Sequence, residues 1–140
     1  VNTGLEAEIA QFEAAVNGES KAVLGDVVKY LKDAVGATAK ELIGITPVDT
    51  GHAKANWQVT LDVPAAGPVF AFDPSPVGVF ATPTLSRAEA VLKGITLDTN
   101  VVYISNLLDY VSRIVEDGHS TQVATGEFSA ALQRLESKFG

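Results

Sequence analysis

The chain has 140 residues, 17 of them acidic and 10 basic, for a net charge of −7, and it contains no cysteine. Those counts exclude disulfides and thiolate metal sites, and they argue against capture of nucleic acid through a general basic patch. An apolar fraction of 46% is enough for the core of one domain over 1–140, and a mean hydropathy of +0.20 points to apolar surface covered by partners.

The first six residues, Val1 to Glu6, have neither the basic nor the apolar region of a secretory signal, so none is expected. No later run approaches the ~20 apolar residues of a membrane span. Thr3-x-x-Glu6 has the form of a capping box. Leu5, Ile9, Phe12 and Val16 follow on one helical face, and Asn17-Gly18 predicts its C-cap. A second helix is expected from Glu19-Ser20 to Ile43, carrying Val23, Val27, Leu31, Val35 and Leu42. Gly25 and Gly36 inside it mark either close helix packing or a kink. Such a helix either covers a sheet or serves as an oligomer contact.

Pro47 ends that helix and biases Thr46 toward extended geometry. Asp49 and Thr50 can accept backbone N–H bonds, and Gly51 can take a positive φ. The stretch from Ile45 to Gly51 therefore reads as a helix-to-strand elbow, with a short helical turn over Gly51–Ala55. Trp57 to Val63 alternates apolar and polar, which predicts a half-buried strand with Trp57, Val59, Leu61 and Val63 inward. Residues 64–83 hold five of the six prolines together with Phe70, Phe72, Val79 and Phe80. Two readings stand. The segment folds back on its own core, or it is an arm that packs these four residues on a neighbouring subunit.

Residues 84–94 read as a short helix, capped by Thr84 or Ser86 and ended by Gly94. Ile95–Leu97 and Val101–Ile104 read as strands around a turn at 98–100. Asn106 is expected to cap a further helix, with Asp109 at its N3 position and Leu107, Val111, Ile114 and Val115 on its apolar face, closing at Gly118. A polar loop over 119–126 leads to a last helix from Glu127 to Lys138, with Phe128, Ala131, Leu132, Leu135 and Phe139 on one stripe. This order predicts an α+β fold: a small antiparallel sheet packed against a long N-terminal helix and C-terminal helices, with an extended Pro-rich loop.

Asp49-Thr50-Gly51 matches the triplet of aspartic proteases, whose chemistry needs two carboxylates sharing a proton. Here the triplet follows a helix and a proline rather than an apolar strand. Ser120 beside His119 cannot by itself make a hydrogen-bonded triad. Glu116-Asp117 reads as a solvated helix end, and neither an EF-hand spacing nor a paired-histidine motif is present. The residues thus predict no catalytic, cofactor or metal site, and favour a binding or assembly protein.

Thr46-Pro47-Val48-Asp49-Thr50-Gly51 followed by Asn56-Trp57-Gln58-Val59 resembles the "TPVDTG … NWQV" block of the tail-completion (neck, minor tail) proteins of long-tailed bacteriophages. Val102-Tyr103-Ile104-Ser105-Asn106, leading to Leu108-Asp109-Tyr110, resembles the "vYIsN…LPYa" of that family. Glu116-Asp117-Gly118-His119-Ser120 with Gln122 resembles its "E-x-G-x-S-x-Q". The blocks lie in the family's order over about 45–125. Pro47, Asp49, Thr50, Gly51, Trp57, Tyr103, Asn106, Tyr110, Glu116 and Gly118 are the motif positions, and the resemblance makes them structural. The sequence departs where the family has an Arg-rich stretch, carrying His52 and Lys54 instead, and where "LPY" has become Leu108-Asp109-Tyr110.

Membership would imply a structural virion protein of the phage neck, assembled in the host cytoplasm as a homo-oligomeric ring, with a hexamer expected. The ring would join the head connector or stopper to the tail tube and complete or terminate the tail. DNA would pass through its lumen without sequence-specific binding, and the protein would have neither catalytic residues nor cofactors. Asp49 would then be an ionised, backbone-bonding carboxylate. The rival expectation is a cytosolic domain that binds a peptide or small ligand, with 64–83 as a lid.

Overall fold

The computed structural model describes residues 3–111, 115, 122 and 125–139. Its first element, α1 (Thr3–Ile45), is one uninterrupted helix of 43 residues, roughly 65 Å long. The expected break at Asn17-Gly18 is absent. Ala14, Ala15, Glu19, Lys21 and Ala22 around it are good helix formers, and a lone glycine there costs only about 1 kcal/mol relative to alanine. Gly18 and Gly25 face open space, so neither marks a packing contact. Gly36 does, because a Cβ there would lie 3.3 Å from Leu92 Cδ1.

The helix ends as Pro47 requires. Thr46 is fully buried; its hydroxyl donates to the Leu42 carbonyl at 2.7 Å and accepts from Trp57 Nε1 at 2.7 Å. A single turn, α2 (His52–Ala55), follows, and then β1 (Trp57–Leu61). β1 stops two residues earlier than its alternation predicts. Asp62 turns the chain at φ 63°, and its Oδ1 accepts from the backbone N–H groups of Asn100 and Val101. Val63 is consequently exposed rather than inward.

β1 pairs antiparallel with β2 (Val102–Asn106), Trp57 opposite Asn106 and Leu61 opposite Val102. Ile95–Leu97 is not a strand: Ile95 is a buried plug after a helix, and the chain turns at Leu97-Asp98. That helix, α3 (Pro83–Leu92), is capped by neither Thr84 nor Ser86 but by Thr82, which accepts from the Leu85 N–H at 3.1 Å. Pro83 fills the first helical position, where a missing N–H costs nothing. Asn106 ends β2 and so does not cap a helix. Asp109 lies in a turn, and helical residues begin at Val111. The expectations for Ile114, Gly118 and most of 119–126 lie outside the described residues. The last helix, α4 (Glu127–Phe139), lies against α1, with Ala131 fully buried and Arg134 bridging Glu41 and Glu127.

The fold is α+β. The core gathers Leu42 and Ile43 of α1, Trp57 and Val59 of β1, Leu85 and Leu92 of α3, Ile95 and Ala131. No helix among the described residues is long and apolar enough to cross a membrane.

Candidate functional site

The elbow between α1 and β1 is covered by the Pro-rich segment. Gly51 takes φ 85°, and a Cβ there would collide with the backbone of Asp73. The Gly51 carbonyl accepts from the N–H of Asp73 at 2.9 Å and from that of Ala55 at 3.0 Å. From this contact the segment is fastened residue by residue. Gln58 Nε2 donates to Gly67 O at 2.9 Å. Asn56 pairs with the backbone of Val69, its Oδ1 accepting at 2.8 Å and its Nδ2 donating at 3.0 Å. His52 Nδ1 donates to Ala71 O at 2.9 Å. Both Asn56 Nδ2 hydrogens are given to carbonyls, of His52 and Val69, so the ring nitrogen itself carries the proton for Ala71. Further on, Gly78 N–H donates to Gly44 O at 3.0 Å, and the Phe80 ring lies against Gly44 beneath Lys40.

Two buried charges complete the fastening. Lys54 is fully buried at the end of α2, and its Nζ donates to the carbonyls of Ser75 at 2.6 Å and Pro76 at 3.2 Å. Burial lowers its pKa, while the charge of Asp73 pulls the other way. Asp73 is 1% exposed and accepts from the N–H and hydroxyl of both Ser75 and Thr84. Burial alone would raise its pKa; those four hydrogen bonds outweigh that and hold it at about 2.

The register of this fastening decides what faces outward. Successive side chains of an extended chain point to opposite faces, so with Val69, Ala71 and Asp73 on the covered face, Phe70 and Phe72 fall on the open one. Phe70 is 91% exposed and Phe72 50%. Their rings meet edge to face at 5.2 Å between centroids, and the His52 ring lies 5.1 Å from that of Phe72. Val79 and Phe80 are 40% and 38% exposed, and Phe80 belongs to the anchoring rather than to the projecting cluster. The backbone of 64–83 therefore folds back on its own core, the first of the two sequence readings, and leaves Phe70 and Phe72 to solvent.

Asn106 of the second block and Gln122 of the third reach the elbow. Pro47 is buried. Asn106 Nδ2 donates to Ala53 O at 2.8 Å. Gln122 pairs with the backbone of Val48, donating at 2.7 Å and accepting at 2.8 Å. Residues from all three sequence blocks thus meet within one layer. Thr50 Oγ1 accepts from His52 N–H at 3.3 Å. Asp49 is exposed and makes none of the hydrogen bonds among the described residues. The backbone-bonding carboxylate expected at Asp49 is found at Asp73 instead. Tyr103 is half-buried and Tyr110 exposed; Glu116 and Gly118 lie outside the described residues.

No protein family, curated protein or solved structure matches this chain at a significant level.

Chemically, the arrangement offers an exposed apolar cluster on a hydrogen-bonded backbone. Among the described residues, no group of three His, Asp or Glu side chains is placed to hold a metal ion. Sequence reasoning missed Lys54 and Asp73. Asp73-Pro74-Ser75 carries the pattern of an Asx-turn, which is the signal that would have found the carboxylate's local role.

Proposed function

We propose that this chain is an assembly protein of the phage neck, forming a ring that completes or terminates the tail between head connector and tail tube. The observation that carries the reading is the convergence on the elbow: Asn106 and Gln122, from the second and third blocks resembling that family, bind the backbone of the first. A motif whose parts hold one another belongs to a fold, which is what a structural family shares.

A ring needs two different faces on each subunit, because its contacts are heterologous. The Phe70–Phe72 cluster supplies one face of the right kind, apolar and fixed in place. An apolar groove of about 490 Å³ between α1 and the Leu97-Asp98 turn, lined by Leu24, Gly25, Val28, Ile95 and Leu97, supplies a second. The net charge of −7 suits a lumen through which DNA slides without sticking. Electron microscopy of the purified chain mixed with tail tubes tests the proposal. Rings seated at tube ends support it; bare tube ends beside dispersed monomers refute it.

A further inference from the structure

The N-terminal half of α1 carries an apolar face that the chain itself leaves uncovered. Leu5, Ile9, Phe12, Val16, Val23 and Val27 are each between 43% and 71% exposed. At about 100° per residue they fall within an arc of roughly 60° and run for about 33 Å along the axis. This stripe does not continue the core-facing side of the helix. Val28, Leu31, Val35, Ala39 and Leu42, which pack into or against the core, centre roughly 100° further round. The helix therefore has two apolar faces, and a partner on the first would lie beside the rest of the chain without colliding with it.

The charges bordering the stripe are of one sign. Glu6 and Glu13 lie on one side, and Glu8, Glu19 and Asp26 on the other, each within about 90° of its centre. The lysines of this stretch, Lys21, Lys29 and Lys32, lie about 130° or more away, on the far side of the helix. Two copies of this face brought together would oppose carboxylate to carboxylate along both edges, in either orientation. An anionic lipid surface would meet the same repulsion.

We propose that the N-terminal half of α1 is a docking rail for an amphipathic helix of another protein, one whose apolar stripe is bordered by lysine or arginine. Apolar contact supplies the attraction, and the carboxylate borders choose the partner and its register. The inference is independent of the ring, since the stripe is separate from the Phe70–Phe72 cluster and the rail would act in a monomer as well.

The test uses the full chain and two synthetic helical peptides with the same leucine stripe, one bordered by lysines and the other by glutamates, with binding read by fluorescence anisotropy. The lysine-bordered peptide binds, and the glutamate-bordered one binds about tenfold more weakly or worse. Phe12→Asp abolishes the binding while leaving the thermal unfolding of the chain unchanged, because Phe12 lies outside the core. The quadruple variant E6K/E8K/E13K/E19K reverses the preference between the peptides. Equal binding of both peptides, or binding that survives Phe12→Asp, overturns the proposal. So does a stable self-associated form whose Ile9→Cys or Val23→Cys variants cross-link between copies along the stripe.

Discussion

Asp73 gives its backbone N–H to the carbonyl of Gly51 at 2.9 Å, and at that contact the Pro-rich segment is locked onto the elbow. Gly51 can make the contact only without a side chain: its φ is 85°, and a Cβ would enter the Asp73 backbone. Gly51→Ala is therefore expected to cost about 3 kcal/mol or more, combining a strained left-handed residue with a backbone clash. Urea unfolding measures the loss. Amide exchange over 67–78 should accelerate beyond what the global destabilisation explains.

The two aspartates of this region should behave oppositely. Asp49→Ala removes an exposed side chain outside the hydrogen bonds described and is expected to change stability by no more than about 0.5 kcal/mol. Asp73→Ala removes the acceptor of four hydrogen bonds in a buried setting and should cost roughly 2–4 kcal/mol. Equal unfolding midpoints for the two variants would contradict this assignment.

Asp73 also makes stability depend on pH in a defined direction. Its folded pKa, about 2, lies below the ordinary value of 3.8. The unfolded chain therefore takes up the proton first as pH falls. The contribution is complete above about pH 5 and is lost as pH drops from about 4 to about 2, by an amount on the order of 2 kcal/mol. Unfolding midpoints measured from pH 6 down to pH 2 should fall more steeply for the wild type than for Asp73→Asn. Lys54 acts at the other end. Its lowered pKa means that the folded state releases its proton first, so its contribution rises as pH climbs toward 10.5, and Lys54→Met removes that rise.

Much of the architecture was legible because it follows local rules. The apolar spacing gave the N-terminal helical region, Pro47 its end, the alternation from Trp57 its strand, and the residues from Glu127 the last helix. Elsewhere, local rules competed with tertiary contacts. Gly18 looked like a stop, yet a helix interior tolerates one glycine among good formers. Ile95 looked like part of a strand, but β1 had already taken β2 as its partner, and an isolated apolar residue can be buried without pairing. Lys54 and Asp73 were illegible as a pair because nothing local brings a lysine on one helical turn to a carboxylate in a Pro-rich segment. Thr84 could not be recognised as a ligand of Asp73 while it still looked like a helix cap.

Trp57 Nε1 donates to the Thr46 hydroxyl at 2.7 Å, tying the first strand to the end of α1 inside the core. A double-mutant cycle of Trp57→Phe and Thr46→Val is expected to give a coupling of about 1 kcal/mol, that of a buried neutral hydrogen bond. Additive effects of the two substitutions would show that the bond contributes nothing beyond packing.

In the proposed ring, the fastened segment presents Phe70 and Phe72 for assembly with other copies of the chain. Sedimentation velocity over a range of concentrations, for the wild type and for Phe70→Asp, tests this. The wild type should form a discrete closed oligomer. Phe70→Asp should remain monomeric at the same concentrations with an unchanged melting temperature, since Phe70 is 91% exposed and outside the core. A wild type that stays monomeric throughout, or a Phe70→Asp variant that assembles as the wild type does, would contradict the account.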